Sequence, residues 1–317
     1  MEPIYRFKPI LKTVLWGGTL LSRLKGLKTQ DHVGESWEIS SLPGHISVVE
    51  GGSDDGLSLD ALIDRYGAAL VGADVYRRWG NRFPLLVKFI DAHARLSLQV
   101  HPDEAMAAAE GMDMGKTEAW HIVSNREGAR LVIGFNHDIT HKELEQRIAD
   151  HTLLEAVTFY ETHAGDTFFI PAGQVHMVDE GNLLVEVQQP ADVTYRVYDH
   201  GRRDVNGKPR KLHLAEARRA LDCRKNTSAR VVPTDGHLLK CDHFVMDELV
   251  ATERPTAIPA GDTFTIITVT DGTLRVEASL PGEKPVTVMV PQATTVLLPA
   301  AARASVTGPA HALLITP

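Results

Sequence analysis

Residues Leu96–Pro102 read LSLQVHP, and Ser97, Gln99 and His101 alternate with apolar neighbours. Residues two apart share one face of a strand, so these three polar side chains would point the same way. Lys116 and Glu118 in GKTEAWHI repeat the spacing on a second strand. A third element, GDTFFIPAGQVH over Gly165–His176, reads as a strand to Ile170 followed by a turn. Pro171 fixes φ there, Gly173 supplies the freedom a tight turn needs, and His176 is presented just beyond. Two imidazoles, a carboxylate and an amide oxygen are a nitrogen–oxygen donor set that a borderline ion such as Zn²⁺ accepts, with a position left open for water or substrate. Each residue alone would pass for part of a solvated strand face. Their convergence with the proline–glycine corner favours metal binding at Gln99, His101, Glu118 and His176.

The elements that must position these groups are mostly strands. FPLLVKFIDA, RLSLQVH, EAWHIVS, ARLVIGF, LEAVTFYET, DTFFIPA, NLLVEVQ and VTYRVYD are short, rich in β-branched and aromatic residues, and bounded by Gly, Pro, Asp or Asn. Beyond Asp222 nearly every apolar run has the same character, and Asp271-Gly272 between two such runs reads as a hairpin. Many short strands at even spacing predict a barrel or sandwich. Helical spacing occurs at residues 57–71 and 211–223, after Pro102 taken as a first helical residue, and after Thr140, where Glu143 completes a capping box. The predicted fold is mainly β, with a few helices added in the first two thirds and a joint in the segment Arg224–Pro233.

On the strands after His176, Glu186 and Gln188 share one face, and Thr194, Arg196 and Tyr198 share another. Arg196 has two readings, a structural ion pair or a cation directed at negative charge in a pocket. His121 lies on the face opposite Glu118 and is expected to pack, and Trp16, Trp37, Trp79 and Trp120 read as core.

The formal net charge of -8 argues against non-specific nucleic-acid binding. The two cysteines, Cys223 and Cys241, form no CxxC and fit a reducing, cytoplasmic setting. The apolar run Val14–Leu21 is interrupted by two glycines and does not read as a signal peptide, and no run approaches the roughly 20 residues of a membrane helix.

The spacing Gly165, Pro171, Gly173, His176 resembles the cupin turn. Aligning Pro299 with Pro171 puts Ala293, Ala301 and Ala304 in place of Gly165, Gly173 and His176, which resembles a second cupin half without metal ligands. In KPILKTVLWGG, GESWEIS, KFIDAHARLSLQVHPDE, GKTEAWHI, GDTFFIPAGQVH and VTYRVYDHGR, in that order over the first 200 or so residues, the chain resembles the short bacterial form of type I mannose-6-phosphate isomerase. The resemblance implies a cupin (jelly-roll) catalytic domain with helical segments over 1–230 and a diverged cupin-like β domain over 231–317. It implies one Zn²⁺ on Gln99, His101, Glu118 and His176, and aldose–ketose exchange between mannose 6-phosphate and fructose 6-phosphate through a cis-enediol. Arg196 would be the active-site arginine, and Ser97 and Lys116 would lie near the substrate. Glu186, Lys116 or a water at the metal could carry the proton. The implied partner is a small sugar phosphate, with no nucleic acid or membrane, in a monomer or homodimer. The alternatives are another cupin metalloenzyme, such as an iron dioxygenase, and a non-catalytic metal-containing cupin that binds a sugar phosphate.

Overall fold

The computed structural model describes residues 1–28, 32–203, 207–226, 228–259 and 261–317; Thr227, inside the segment read as a joint, lies outside the described residues. The predicted mainly β fold is what forms. A six-stranded antiparallel sheet orders its strands Thr167–Ile170, Glu118–Asn125, Asn182–Gln188, Leu86–Ala92, Ile10–Gly18 and Val33–Ile39. A five-stranded sheet follows the order Val157–Glu161, Arg130–Phe135, His176–Val178, Leu98–Val100 and Tyr195–Tyr198. Trp16, Ile90, Trp120, Phe135, Phe168, Met177, Leu184 and Val197 form one buried cluster drawn from both sheets. All seven residues of Leu86–Ala92 are buried, because the outer face of its sheet is covered as well. Val87, Phe89 and Val185 there join a second cluster with Leu59, Leu62 and Ile63 of a helix and Phe264 and Ile266 of the last third of the chain.

Apart from the two-stranded pair Ser41–Leu42 and His45–Ile46, the remaining strands form a ten-stranded arrangement around a third cluster containing Ile267, Val269, Leu274, Val276, Val290, Val296 and Val306. The N-terminal strand Tyr5–Lys8 pairs with Thr294–Leu298 on one side and Val48–Val49 on the other. The start of the chain therefore stitches into the sheet built by its end. We keep 1–230 and 231–317 as a proposal for the two folding units, with this strand shared between them.

Several local readings change. The helix expected over 57–71 divides at Gly67, whose φ of 50 ends Leu59–Tyr66 and starts Ala68–Val71. Helices Leu20–Leu24 and Ala73–Trp79 were not expected. Pro102 precedes the helix Glu104–Ala109, and the cap is Asp103, whose carboxylate accepts from Met106 N at 2.8 Å. Thr140 caps as predicted, accepting from Glu143 N at 3.1 Å, but the Glu143 carboxylate turns to Arg147 and His137 instead of back to Thr140. Asp271-Gly272 is not a hairpin. Thr265–Ser279 runs through it as one strand with a register shift between Val269 and Asp271. Gly272 has φ 74, and a Cβ there would stand 2.1 Å from the Pro309 carbonyl oxygen, so glycine serves a bulge and a close backbone approach.

The repeat has a backbone counterpart. Ala293 takes φ 59 where Gly165 takes φ 90, and Pro299 follows a strand as Pro171 does. The Ala293 carbonyl accepts from Lys25 Nζ at 2.6 Å, and the same ammonium lies 2.8 Å from Glu38. Both side chains of this ion pair are under a tenth exposed. Lys25→Met leaves the Glu38 carboxylate buried without its cation and is expected to cost about 3 kcal/mol, with Lys25→Met/Glu38→Leu recovering most of it. Denaturant unfolding of the three proteins checks this. A single variant as stable as the parent would show that the pair does not hold the two halves together.

Candidate metal centre

The strand Leu98–Val100 places Gln99 inward, and His101 follows at its end. His176 opens the neighbouring strand, and Gln99 and His176 are direct partners in the ladder. Glu118 opens the strand Glu118–Asn125 in the other sheet. The site is therefore assembled across the sandwich, two ladder neighbours facing a carboxylate from the opposite sheet. His101 Nε2 and His176 Nε2 are 3.1 Å apart, and they lie 3.3 and 3.4 Å from the two Glu118 oxygens. One donor atom from each of the three residues falls within 4.8 Å of the others, and all three residues are buried. The Gln99 amide reaches the same point, 3.3 Å from His176 Nε2, and Ser97 Oγ stands 3.4 Å from Gln99 Oε1.

These groups fit a divalent cation. Glu118 Oε1 is buried without a hydrogen-bond partner, Oε2 has only the Lys116 ammonium at 3.0 Å, and His101 Nδ1 is buried without a partner. Orphaned buried oxygens are costly unless something else satisfies them. His176 Nδ1 sits 2.8 Å from the Gln174 carbonyl, where it donates its proton and leaves the Nε2 lone pair aimed at the shared point. Burial pushes His101 down to about 3, and the Lys116 charge adds to this. Burial likewise lowers His176, so both imidazoles are neutral, the form that binds a metal. Burial would raise the Glu118 carboxyl, but the Lys116 ammonium holds it well below the usual carboxylate range.

Lys116 lies at the centre of the cluster, its Nζ 3.0 Å from both His101 Nε2 and Glu118 Oε2. It is 4.0 Å from Glu186 Oε1. Glu186 is buried on the strand Asn182–Gln188, and its other oxygen accepts from Trp120 Nε1 at 2.8 Å. Arg196 is paired with Gln99 in the ladder on the far side of the five-stranded sheet. Its Nη1 donates to the Lys211 carbonyl at 2.9 Å, while its buried Nε has no partner. Burial lowers its pKa, as do the neighbouring charges of Arg210 and Arg202, both of which are held by Asp199. His121 packs away from the centre, 2.9 Å from Thr167 Oγ1, as its face required.

Sequence reading missed Lys88, whose buried ammonium lies 2.8 Å from Glu186 Oε1 and 3.7 Å from Glu35 Oε2. It also read Trp37 and Trp120 as core alone. Both are buried, but each indole N–H is committed to a carboxylate of this site. The one available signal was a lone lysine in the apolar run LLVKFI.

Residues 4–133 match the family model described as the phosphomannose isomerase type I catalytic domain. The chain is 37% identical over 234 residues to mannose-6-phosphate isomerase of Streptococcus mutans, covering 72% of this chain and 70% of that protein. The chain belongs to the type I phosphomannose isomerase family. Mannose-6-phosphate isomerase ManA of Bacillus subtilis is likewise 37% identical, over 68% of this chain and 67% of its own length. The crystal structure of the mannose 6-phosphate isomerase from Bacillus subtilis superposes with a TM-score of 0.86 at 27% identity and covers all of both chains. The type I phosphomannose isomerase fold thus extends through the C-terminal third. No helix among the described residues is long and apolar enough to cross a membrane.

Proposed function

We propose that this chain is a mannose-6-phosphate isomerase that interconverts mannose 6-phosphate and fructose 6-phosphate. The observation that carries the reading is the buried convergence of His101, Glu118 and His176 with two lysines and a further carboxylate around them. Gln99, His101, Glu118 and His176 would hold the metal, and the mix of imidazole and oxygen donors favours Zn²⁺. Such an ion supplies Lewis acidity, which draws electron density from a substrate oxygen and makes the neighbouring C–H more acidic.

The chain's own residues account for the rest. The reaction takes the proton from C2 of the aldose and delivers it to C1, while the hydroxyl proton on O2 is lost and O1 gains one. Glu186, the carboxylate that faces Lys116 beside the cluster, carries the carbon-bound proton. Its Oε2 is fixed by Trp120 Nε1–H, so Oε1 faces the two lysines. Lys116 and Arg196 balance negative charge on the enediolate oxygens, the arginine through the buried N–H that has no protein partner. Ser97 stands beside Gln99 as a substrate contact. The buried Trp120 ring packs edge-on against the His176 ring at 5.5 Å and keeps water from that side of the site. Two free cysteines fit a cytoplasmic enzyme.

The deciding experiment is turnover of mannose 6-phosphate by the purified chain, with fructose 6-phosphate read by a coupled assay and metal content measured on the same sample. Activity is expected to disappear on chelation and return with Zn²⁺. A metal-loaded chain that binds mannose 6-phosphate without converting it would be a sensor, and the isomerase reading would fail.

A further inference from the structure

Along the inner face of the six-stranded sheet and the segment leading into Glu118, charged side chains alternate in sign from the candidate metal centre to the strand Ile10–Gly18: Glu118, Lys116, Glu186, Lys88, Glu35, Lys12. Adjacent members face each other at 3.0 Å for Lys116 with Glu118, 4.0 Å for Lys116 with Glu186, 2.8 Å for Lys88 with Glu186 and 3.7 Å for Lys88 with Glu35. Lys12 and Glu35 are direct partners in the ladder. Within this row Lys88 has a distinctive cradle. The carboxylate on each side of it is gripped by an indole, Glu186 Oε2 by Trp120 Nε1 at 2.8 Å and Glu35 Oε2 by Trp37 Nε1 at 2.7 Å. The Trp37 ring also lies beneath two ammonium groups, Lys12 at 4.5 Å and Lys88 at 5.6 Å from its centroid. Two tryptophan–glutamate pairs from three strands thus bracket one buried lysine.

A lysine is a flexible stem with three donors, and burying it unpaired favours the neutral amine. Flanked by one carboxylate at 2.8 Å and a second at 3.7 Å, it is confined and kept charged, with N–H capacity left for a ligand. We propose that Glu35, clamped by the Trp37 indole, is a positioning residue that holds Lys88 as a permanent cation aimed at a substrate oxygen, so that Lys88 donates to the sugar and does not take a proton from it. For its substrate this rests on the isomerase reading above. Burial draws the Lys88 pKa down, but Glu186 and Glu35 outweigh it and raise it above that of a free lysine, with Glu118 adding to them. The charged groups in the row around Lys88 are then Glu186, Lys116, Glu118, Glu35 and Lys12, and of the two carboxylates in the cradle only Glu35 has no part in the proton transfer assigned above.

The test uses the metal-loaded full chain with Glu35→Gln, which removes the charge, and Trp37→Phe, which removes the clamp. Both are expected to retain metal and the native fold, Trp37→Phe with a lowered thermal midpoint because it leaves a cavity at a buried position. In Glu35→Gln, kcat falls roughly 10-fold or more while KM moves little, and the alkaline limb of the pH–rate profile moves to lower pH by about one unit. Trp37→Phe moves the same way by less. The second readout needs no turnover. In ¹H–¹⁵N spectra of substrate-free protein, the Lys88 Nζ protons exchange with water roughly tenfold faster in Glu35→Gln than in the parent. Parental exchange together with an unmoved alkaline limb overturns the proposal. Loss of metal or collapse of the fold in both variants overturns it too, since the role would then be structural. If the parent fails to isomerise mannose 6-phosphate, the function reading falls, yet the exchange comparison still decides whether Glu35 holds Lys88.

Discussion

His176→Ala is expected to leave the protein without its metal and without measurable isomerase activity. His176 is the ladder partner of Gln99, and its Nε2 is the atom that closes the cluster on Glu118 and His101. Removing it leaves one imidazole, one carboxylate and one amide, and opens a gap beside the edge of Trp120, whose ring meets the His176 ring at 5.5 Å. Loss of a partner that merely orients a ligand costs about 10–100-fold in affinity, and loss of the ligand itself should cost more. The fold should survive, because Lys116 still neutralises Glu118 at 3.0 Å. Metal analysis, circular dichroism and the coupled assay on one preparation separate the outcomes. A folded, metal-free His176→Ala protein that still turns over would refute metal-assisted isomerisation here. His101→Ala is expected to behave in the same way.

Arg196→Ala should lower kcat by about 100-fold or more while changing KM only a few-fold. The argument is the buried Nε without a partner, on a strand in register with Gln99. A buried guanidinium N–H left unpaired in the free protein has its use when negative charge develops nearby, and an interaction made only in the transition state appears in kcat. Arg196→Lys should recover little, since an ammonium does not reproduce the planar fork, and the Nη1 bond to the Lys211 carbonyl is lost with it. Steady-state kinetics with metal content held equal checks this. If KM rises and kcat stays, Arg196 is a ground-state anchor and its place in the chemistry is wrong.

The alternation of Ser97, Gln99 and His101, the two-residue step from Lys116 to Glu118 and the turn before His176 were all legible in the sequence. Side-chain direction along a strand and the angles of proline and glycine are local properties, and these six residues do come together. The thirds of the chain differ in the same legible way, helices early and strands late. The internal repeat is a reading from one proline, and Ala293 takes a positive φ at the position aligned with Gly165. Where local chemistry serves two purposes, the sequence misled. Asp271-Gly272 carries the φ a hairpin needs, but a bulge needs it too, and only the pairing of Gly272 with Ala310 distinguishes them.

By itself, then, the sequence determined the strand period, the corner that presents His176 and the donor types of the candidate metal centre, all of which depend on residues close together in the chain. Only the tertiary structure decided what surrounds that centre. Glu35, Lys88, Trp120 and Glu186 come from four strands, and each alone looks like an exposed charge or a core aromatic. Antiparallel register sets them side by side, with Trp37 opposite Lys88 and Glu186 between Lys88 and Trp120. Register is fixed by which faces the two clusters bury, and that is a property of the packed sandwich, in which no single stretch of chain contains its own partner.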